Sequence, residues 1–272
     1  MALRRYRVGI AVASFGLAML LLTGCAPEPQ PAAKRGETNS PATTSKTSDP
    51  ESSSSQADSA ATKSSPTEQN FDRTAHSLDD PMSIWVVSNK LRALQPADFA
   101  PTDLVMPTGV ENEFEQPLRA PAASAVESLV SAAQADGIDV RIISAYRDYT
   151  TQTTLYDSYV ARDGQQAADT YSARPGHSEH QTGLVVDFDD HGDCYLAACF
   201  GETPAGTWLA AHASEYGFIV RYPDGKQAVT GFMPEPWHFR FVGVDLAERM
   251  RADNVTTLEE FFDLPDAPGY AQ

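Results

Sequence analysis

The stretch Arg174 to Asp190, RPGHSEHQTGLVVDFDD, places two of the chain's six histidines, His177 and His180, beside four carboxylates. It then alternates like a half-buried strand, with Asp187 and Asp189 on one face and Val186 and Phe188 on the other. An acid on the inner side of a strand needs a partner, and a metal ion is a good one. The other reading is a polar loop leading into a strand that merely carries aspartates.

A later piece, PEPWHFRF from Pro234 to Phe241, adds Glu235 and His238. Two imidazoles and one carboxylate (His180, His238 and Asp187) are a common ligand set for a catalytic zinc, which keeps a position for water. Glu235 lies three residues before His238, close enough to face that water and take its proton without being a ligand. Spacing alone leaves the ligand choice open. His177 and His180 form an H-x2-H pair, Asp189, Asp190 and His191 crowd the same strand end, and the H-E-x-x-H helix is absent.

Working outward, Ile84 to Ser88 predicts a first strand. Ala120 to Asp136 predicts a helix, with apolar residues at helical spacing, Pro121 near its start and Gly137 past its end. Val140 to Ala145 predicts a strand. Asp148 caps a helix through about Arg162, closed by Gly164. Leu184 to Phe188 continues the opening motif as a strand. A helix from Thr203-Pro204 runs to Tyr216 and stops at Gly217, followed by strands at Phe218–Arg221 and Trp237–Val242 around a Pro223-Asp224-Gly225 turn. Asp245–Arg251 and Leu258–Phe262 predict short closing helices, the second with a Thr257/Glu260 capping box. Mixed order without βαβ alternation predicts a single α+β domain, over residues 75–265, with a mostly antiparallel sheet flanked by helices and a tail at 266–272.

Residues 1–24 have the form of an export signal: Arg4, Arg5 and Arg7, then an apolar run from Val8 to Leu22 that is short for a membrane span. Leu22-Thr23-Gly24-Cys25 resembles the lipobox of bacterial lipoproteins, in which Cys25 is acylated and becomes the mature N-terminus. From Pro27 to Glu68 there is no Leu, Ile, Val, Met, Phe, Tyr, Trp or Cys, so residues 25–74 are expected to be a disordered tether. About 50 residues of coil average roughly 40 Å end to end and stretch to roughly 170 Å. The expected location is therefore extracytoplasmic, lipid-anchored to the membrane and facing the cell wall. The formal charge is −17, and the signal removes only arginines, so nucleic acid is not an expected partner. In an oxidising compartment Cys194 and Cys199 are expected to pair, closing a loop that stabilises by about 2 kcal/mol; free thiols and zinc ligation are the alternatives.

SEHQTGLVVDF and EPWHF, with the upstream SAYRDYTTQ, together resemble the VanY-type D-alanyl-D-alanine carboxypeptidases of zinc peptidase family M15, subfamily M15B, over about Ile84 to Val244. The sequence is also close to the L,D-carboxypeptidases of that family. The resemblance implies the fold shared by D,D-peptidases and the Hedgehog signalling domain, Zn2+ as cofactor and peptidoglycan stem peptides as substrate. It makes His180, Asp187 and His238 the zinc ligands and Glu235 the general base, which later gives its proton to the leaving amine. It makes Arg147 the group that polarises the scissile carbonyl. It places Gln152 and Ser178 at the substrate's C-terminal residue and carboxylate, with Trp237 packed beside the site. Ala145 stands where glycine is frequent in the family, and His177 where tyrosine or histidine is usual.

Each role has a plainer counterpart: Arg147 as an ion-pair partner of Asp148 or Asp187, Gln152 as an exposed helix residue, Ser178 as a turn cap. The expected activity is removal of the C-terminal D-alanine from stem peptides by a monomer. The alternatives are an L,D-carboxypeptidase acting on tetrapeptide stems and a non-catalytic zinc-containing wall-binding module. A serine mechanism is set aside, because the folded region has no Ser-x-x-Lys.

Overall fold

The computed structural model describes residues 71–271. The expected signal at 1–24, the lipid acceptor Cys25 and the tether up to residue 70 lie outside the described residues. A short antiparallel pair, β1 (Leu104–Val105) and β2 (Leu118–Arg119), leads into α1 (Ala120–Ala135). Next come β3 (Arg141–Ser144), α2 (Tyr149–Asp163), α3 (Gln165–Ala168), a 3-10 turn at Glu179–Thr182 and β4 (Val185–Asp189). The chain continues through α4 (Pro204–His212), β5 (Phe218–Tyr222), α5 (Gln227–Thr230), β6 (Glu235–Phe241), α6 (Val244–Asp253) and α7 (Leu258–Phe261). The main sheet has the order β3-β4-β6-β5, with every neighbouring pair antiparallel. The domain is α+β, with helices flanking an antiparallel sheet.

Local chemistry sets the helix ends. The Asp148 carboxylate accepts from the Thr151 amide at 2.7 Å and starts α2. Thr203 does the same for Gly206 at 3.1 Å, with Pro204 in the first turn of α4. Beyond His212 the chain tightens into a 3-10 turn at Ala213–Tyr216 rather than continuing α4 as expected, and it ends at Gly217. Gly217 has φ +83°, and a Cβ there would come within 2.8 Å of the Gly243 carbonyl carbon, so both conformation and space demand glycine.

One face of the sheet is apolar. Val186 and Phe188 of β4, Phe218 of β5 and Phe239 of β6 join Val126, Leu129 and Val130 of α1 and Leu209 of α4 in the main core. The Phe188 and Phe239 rings lie 5.6 Å apart, edge to face. A second core under α6 and α7 gathers Trp85, Val87, Leu246, Met250, Leu258 and Phe261. The other face of the sheet carries Asp187 and, directly opposite on β6, His238, with Arg240 further along. It too is buried, so its polar groups need partners inside the protein.

Three expectations are corrected. Ile84 and Trp85 lie in a turn, closed by the Val86 amide on Ser83 O, and Val86–Ser88 joins no strand. Trp85 and Val87 point into the second core and Val86 into the first, so the alternation is real. Its carbonyls are met by a side chain instead: Arg240 Nη2 donates to Ile84 O at 3.0 Å and to Val86 O at 2.8 Å. The folded body starts before residue 75, because Phe71 stacks on Trp85 at 5.6 Å and Arg73 pairs with Asp263. Residues 266–271 are docked rather than a free tail: Ala267 is buried, its amide donates to Val229 O, and the Tyr270 hydroxyl accepts from the Arg174 amide at 2.8 Å. The β1–β2 pair, two residues per strand, carries no periodic signal a sequence reading could use.

Cys194 and Cys199 are joined as a disulfide with Cα atoms 5.5 Å apart. Among the described residues no helix is long and apolar enough to cross a membrane. Phe188→Ala is expected to cost about 3–5 kcal/mol in urea-induced unfolding, because Phe188 is fully buried against Phe239. A loss under about 1 kcal/mol would contradict the packing described.

Candidate metal centre and active site

Each member of the site is placed by a different element. Asp187 sits on β4 and His238 on β6, and the two are direct cross-strand partners, so their side chains share a face. Ser144 of β3 is registered with Asp187 from the other side. His180 comes from the 3-10 turn that feeds β4, a turn closed by Gly183 at φ +67°. The ligand atoms of His180, Asp187 and His238 all lie within 4.8 Å of one another, and all three residues are buried.

The hydrogen bonds fix what those atoms offer. His180 Nδ1–H donates to the Ala145 carbonyl at 2.6 Å, which leaves the Nε2 lone pair facing Asp187 Oδ2 at 3.4 Å. Burial and the Arg147 charge push the His180 pKa down and keep the ring neutral. His238 turns Nδ1 toward the cluster, 3.2 Å from Asp187 Oδ1 and 3.4 Å from Glu235 Oε2. Asp187 Oδ1 has no hydrogen-bond partner despite being buried. Burial pushes the Asp187 carboxyl up, but the neighbouring imidazoles outweigh it and hold the group below the usual carboxylate range. A buried carboxylate oxygen without a donor, with two imidazole nitrogens converging on its group, is expensive for an empty polar cluster and suits a cation. The residues present therefore fit a divalent metal bound through two imidazoles and one carboxylate, the donor set that suits zinc.

Glu235 opens β6 at a register shift, opposite Tyr222 of β5. Burial pushes its carboxyl up to about 8, with His238 drawing it down and Asp187 raising it further. The same carboxylates raise His238 against the effect of its burial. Arg147 precedes the cap of α2. Its Nη1 donates to Gln152 Oε1 at 2.7 Å and its Nη2 to Ser144 Oγ at 3.1 Å. Among the described residues Arg147 makes no ion pair, and Asp148 is occupied capping α2. The plainer reading of Arg147 as a structural ion-pair partner is thus not what the fold provides.

Arg147, Ser178, His180, Asp187, Glu235, Trp237 and His238 line one cavity of about 470 Å³. A larger apolar cavity of about 680 Å³, behind β5, contains none of these groups. Gln152 is fully buried, yet it does not line the site cavity. Its amide is spent on protein: Oε1 accepts from Arg147, and Nε2 donates to Ala173 O at 2.6 Å and Ser172 Oγ at 3.4 Å. Gln152 thus stands behind Arg147 and aims it, rather than reaching the cavity itself. Ser178 is buried on the cavity wall, and Trp237 spans the wall and the main core.

The rest of the polar cluster serves other partners. His177 bonds the Asn89 carbonyl at 2.7 Å and packs on Tyr270. Asp189 pairs with Arg141 at 2.8 Å. Sequence reasoning missed Tyr222, whose ring lies 4.8 Å from that of His238, and Leu196, which borders the cavity from the disulfide loop. It also missed Glu179, bonded by two buried arginines. The spacing of the motif offered no signal for these, although Glu179 adjoins His180 in the opening stretch.

Comparison with known proteins gives the same direction. The family described as VanY: D-alanyl-D-alanine carboxypeptidase matches residues 115–244. YodJ of Bacillus subtilis (strain 168) is 38% identical over 192 residues, covering 68% of this chain and 69% of that protein. The bifunctional D-Ala-D-Ala dipeptidase and carboxypeptidase VanXYC of Enterococcus gallinarum is 35% identical over 128 residues, covering 46% of this chain and 67% of its own. Among solved structures, the LdcB LD-carboxypeptidase is 38% identical with a TM-score of 0.63, over 67% of this chain and 87% of that one. A zinc complex of a VanY D,D-pentapeptidase variant from the VanB-type resistance cassette is 29% identical with a TM-score of 0.55, over 65% and 97%. With its fold, its His/Asp/His cluster and these likenesses in agreement, the chain belongs to the VanY family of D-alanyl-D-alanine carboxypeptidases.

Proposed function

We propose that this protein is a zinc carboxypeptidase that removes the C-terminal D-alanine from peptidoglycan stem peptides. The observation that carries the reading is one cavity in which His180, Asp187 and His238 converge beside an unligated Glu235 and an unpaired Arg147. A zinc ion held by the three ligands would acidify a water and polarise the scissile carbonyl. Glu235, 3.4 Å from a ligand imidazole, takes the proton of the attacking water and delivers it to the leaving amine. Arg147 directs its guanidinium at the carbonyl oxygen as negative charge builds there, held in place by Gln152 and Ser144. Ser178 on the cavity wall offers a hydroxyl to the terminal carboxylate.

Relatives support the substrate class: VanXYC acts on D-Ala-D-Ala, and the LdcB structure concerns peptidoglycan recognition. A second reading, L,D-cleavage of tetrapeptide stems, is favoured by the higher identity and TM-score of LdcB compared with the VanY zinc complex. A metal-binding module without catalysis has no use for Glu235 at the open side of the cluster. The lipobox-like Cys25 and the Cys194–Cys199 disulfide support an exported, lipid-anchored enzyme facing the wall.

Three outcomes are expected. Glu235→Gln retains stoichiometric zinc by metal analysis and loses turnover by roughly 10²–10⁴-fold; undiminished hydrolysis would remove Glu235 from the mechanism. Glu235, pushed up to about 8, holds a proton in the metal-free protein near neutral pH, His238 is shifted in the same direction, and a cation favours the unprotonated form of each. Zinc binding is therefore expected to release about one proton or more and to weaken as pH falls, seen as a buffer-dependent binding enthalpy in calorimetry. A buffer-independent enthalpy would contradict that assignment. Incubated with pentapeptide and tetrapeptide stems, the enzyme is expected to release D-alanine from the pentapeptide, and this release should stop with chelator. Trimming of the tetrapeptide alone would establish the L,D reading instead.

A further inference from the structure

We infer that Glu179 is a positioning residue for the metal centre, holding His238 through its outer nitrogen so that Nδ1 is presented to the cation. The inference rests on the metal reading above. Glu179 is 1% exposed and adjoins His180 in sequence, yet its side chain lies behind the other histidine. Its two oxygens have different surroundings. Oε1 accepts from Arg221 Nε at 2.9 Å and Arg240 Nη1 at 2.8 Å. Oε2 is buried without a hydrogen-bond partner and lies 4.0 Å from His238 Nε2, which is likewise buried without a partner.

The faces of His238 assign the roles. Nδ1 is turned to Asp187 and Glu235, the metal side, so a neutral ring that ligates through Nδ1 carries its proton on Nε2. Glu179 Oε2 lies 4.0 Å from that nitrogen. A small adjustment of either side chain closes the gap to a hydrogen bond, which satisfies two orphaned groups together. A carboxylate accepting the distal N–H fixes the tautomer and ring orientation and makes the ligating nitrogen more basic. Arg221 in turn is gripped by Glu259 through two bonds of 2.9 and 2.7 Å, and Glu259 also accepts from Asn89. The buried chain Asn89–Glu259–Arg221–Glu179 thus ends on a metal ligand.

A counter-ion role alone explains Oε1 and leaves Oε2 idle. The test separates the two by zinc affinity, measured in competition with a chromogenic chelator, and by the visible spectrum of the cobalt-substituted protein. Glu179→Gln is expected to weaken zinc binding about 10-fold or more and to shift the cobalt spectrum. Glu259→Gln, which disturbs the same Arg221 without facing His238, is expected to stay within about 2-fold of wild type. Equal losses in both variants, or none in Glu179→Gln, would overturn the inference while leaving the metal site intact. Wild-type protein that binds no zinc would overturn the metal reading and this role with it. Should Glu179→Gln fail to fold, nitrogen-15 histidine NMR of the zinc-loaded wild type decides. A slowly exchanging Nε2–H on His238 supports the role, and a proton on Nδ1, or a freely exchanging Nε2–H, refutes it.

Discussion

The register between β4 and β6 is the constraint on which the site depends. It sets Asp187 directly opposite His238 on one face while Val186 and Phe239 meet on the other. A slip of one residue in either strand would send its own polar side chain, the acid or the imidazole, into the apolar core and bring a phenylalanine to the cleft. Phe188, Phe239 and Phe218 under α1 and α4 make that slip costly, so the hydrophobic packing of one face holds the chemistry of the other.

The polar face is buried as well, and this explains its density of ion pairs. Arg221 and Arg240 are wholly inaccessible, and each bonds Glu179. Arg240 also satisfies the carbonyls of Ile84 and Val86, so one guanidinium does for that segment what a neighbouring strand would do. Buried pairs of this kind recover their desolvation only when every donor and acceptor finds a partner, and removing one member costs about 3–5 kcal/mol. Their worth here is geometric. They anchor the backs of the elements that carry His180 and His238 without placing an opposite charge beside Arg147.

Arg147 shows the same logic at the front of the site. Ser144 and Gln152 hold the guanidinium by neutral hydrogen bonds, and Gln152 is itself tied to Ala173. Neutral holders fix the direction of the charge and do not quench it. A carboxylate in their place would have competed with a developing oxyanion. Both polar atoms of the Gln152 amide are engaged within the protein, one of them on Arg147, so its identity in the sequence reports how Arg147 is aimed.

Much of this was legible along the chain. The opening stretch and EPWHF supplied the candidate imidazoles, carboxylates and glutamate, because metal ligation and proton transfer admit few residue types, and the family resemblance chose His180, Asp187, His238 and Glu235 among them. Helix caps at Asp148 and Thr203 were equally readable, since a cap is a bond between neighbours. What local sequence fixes is therefore the composition of the site and the ends of its helices. Which histidine nitrogen faces inward, that Gln152 serves Arg147, that Glu179 lies behind His238 and not beside its neighbour His180, and that Ile84–Val86 rests on an arginine were decided only in three dimensions. Those facts belong to contacts between residues up to 156 positions apart, and such contacts exist only once burial has brought the segments together and removed the water that would otherwise have satisfied them.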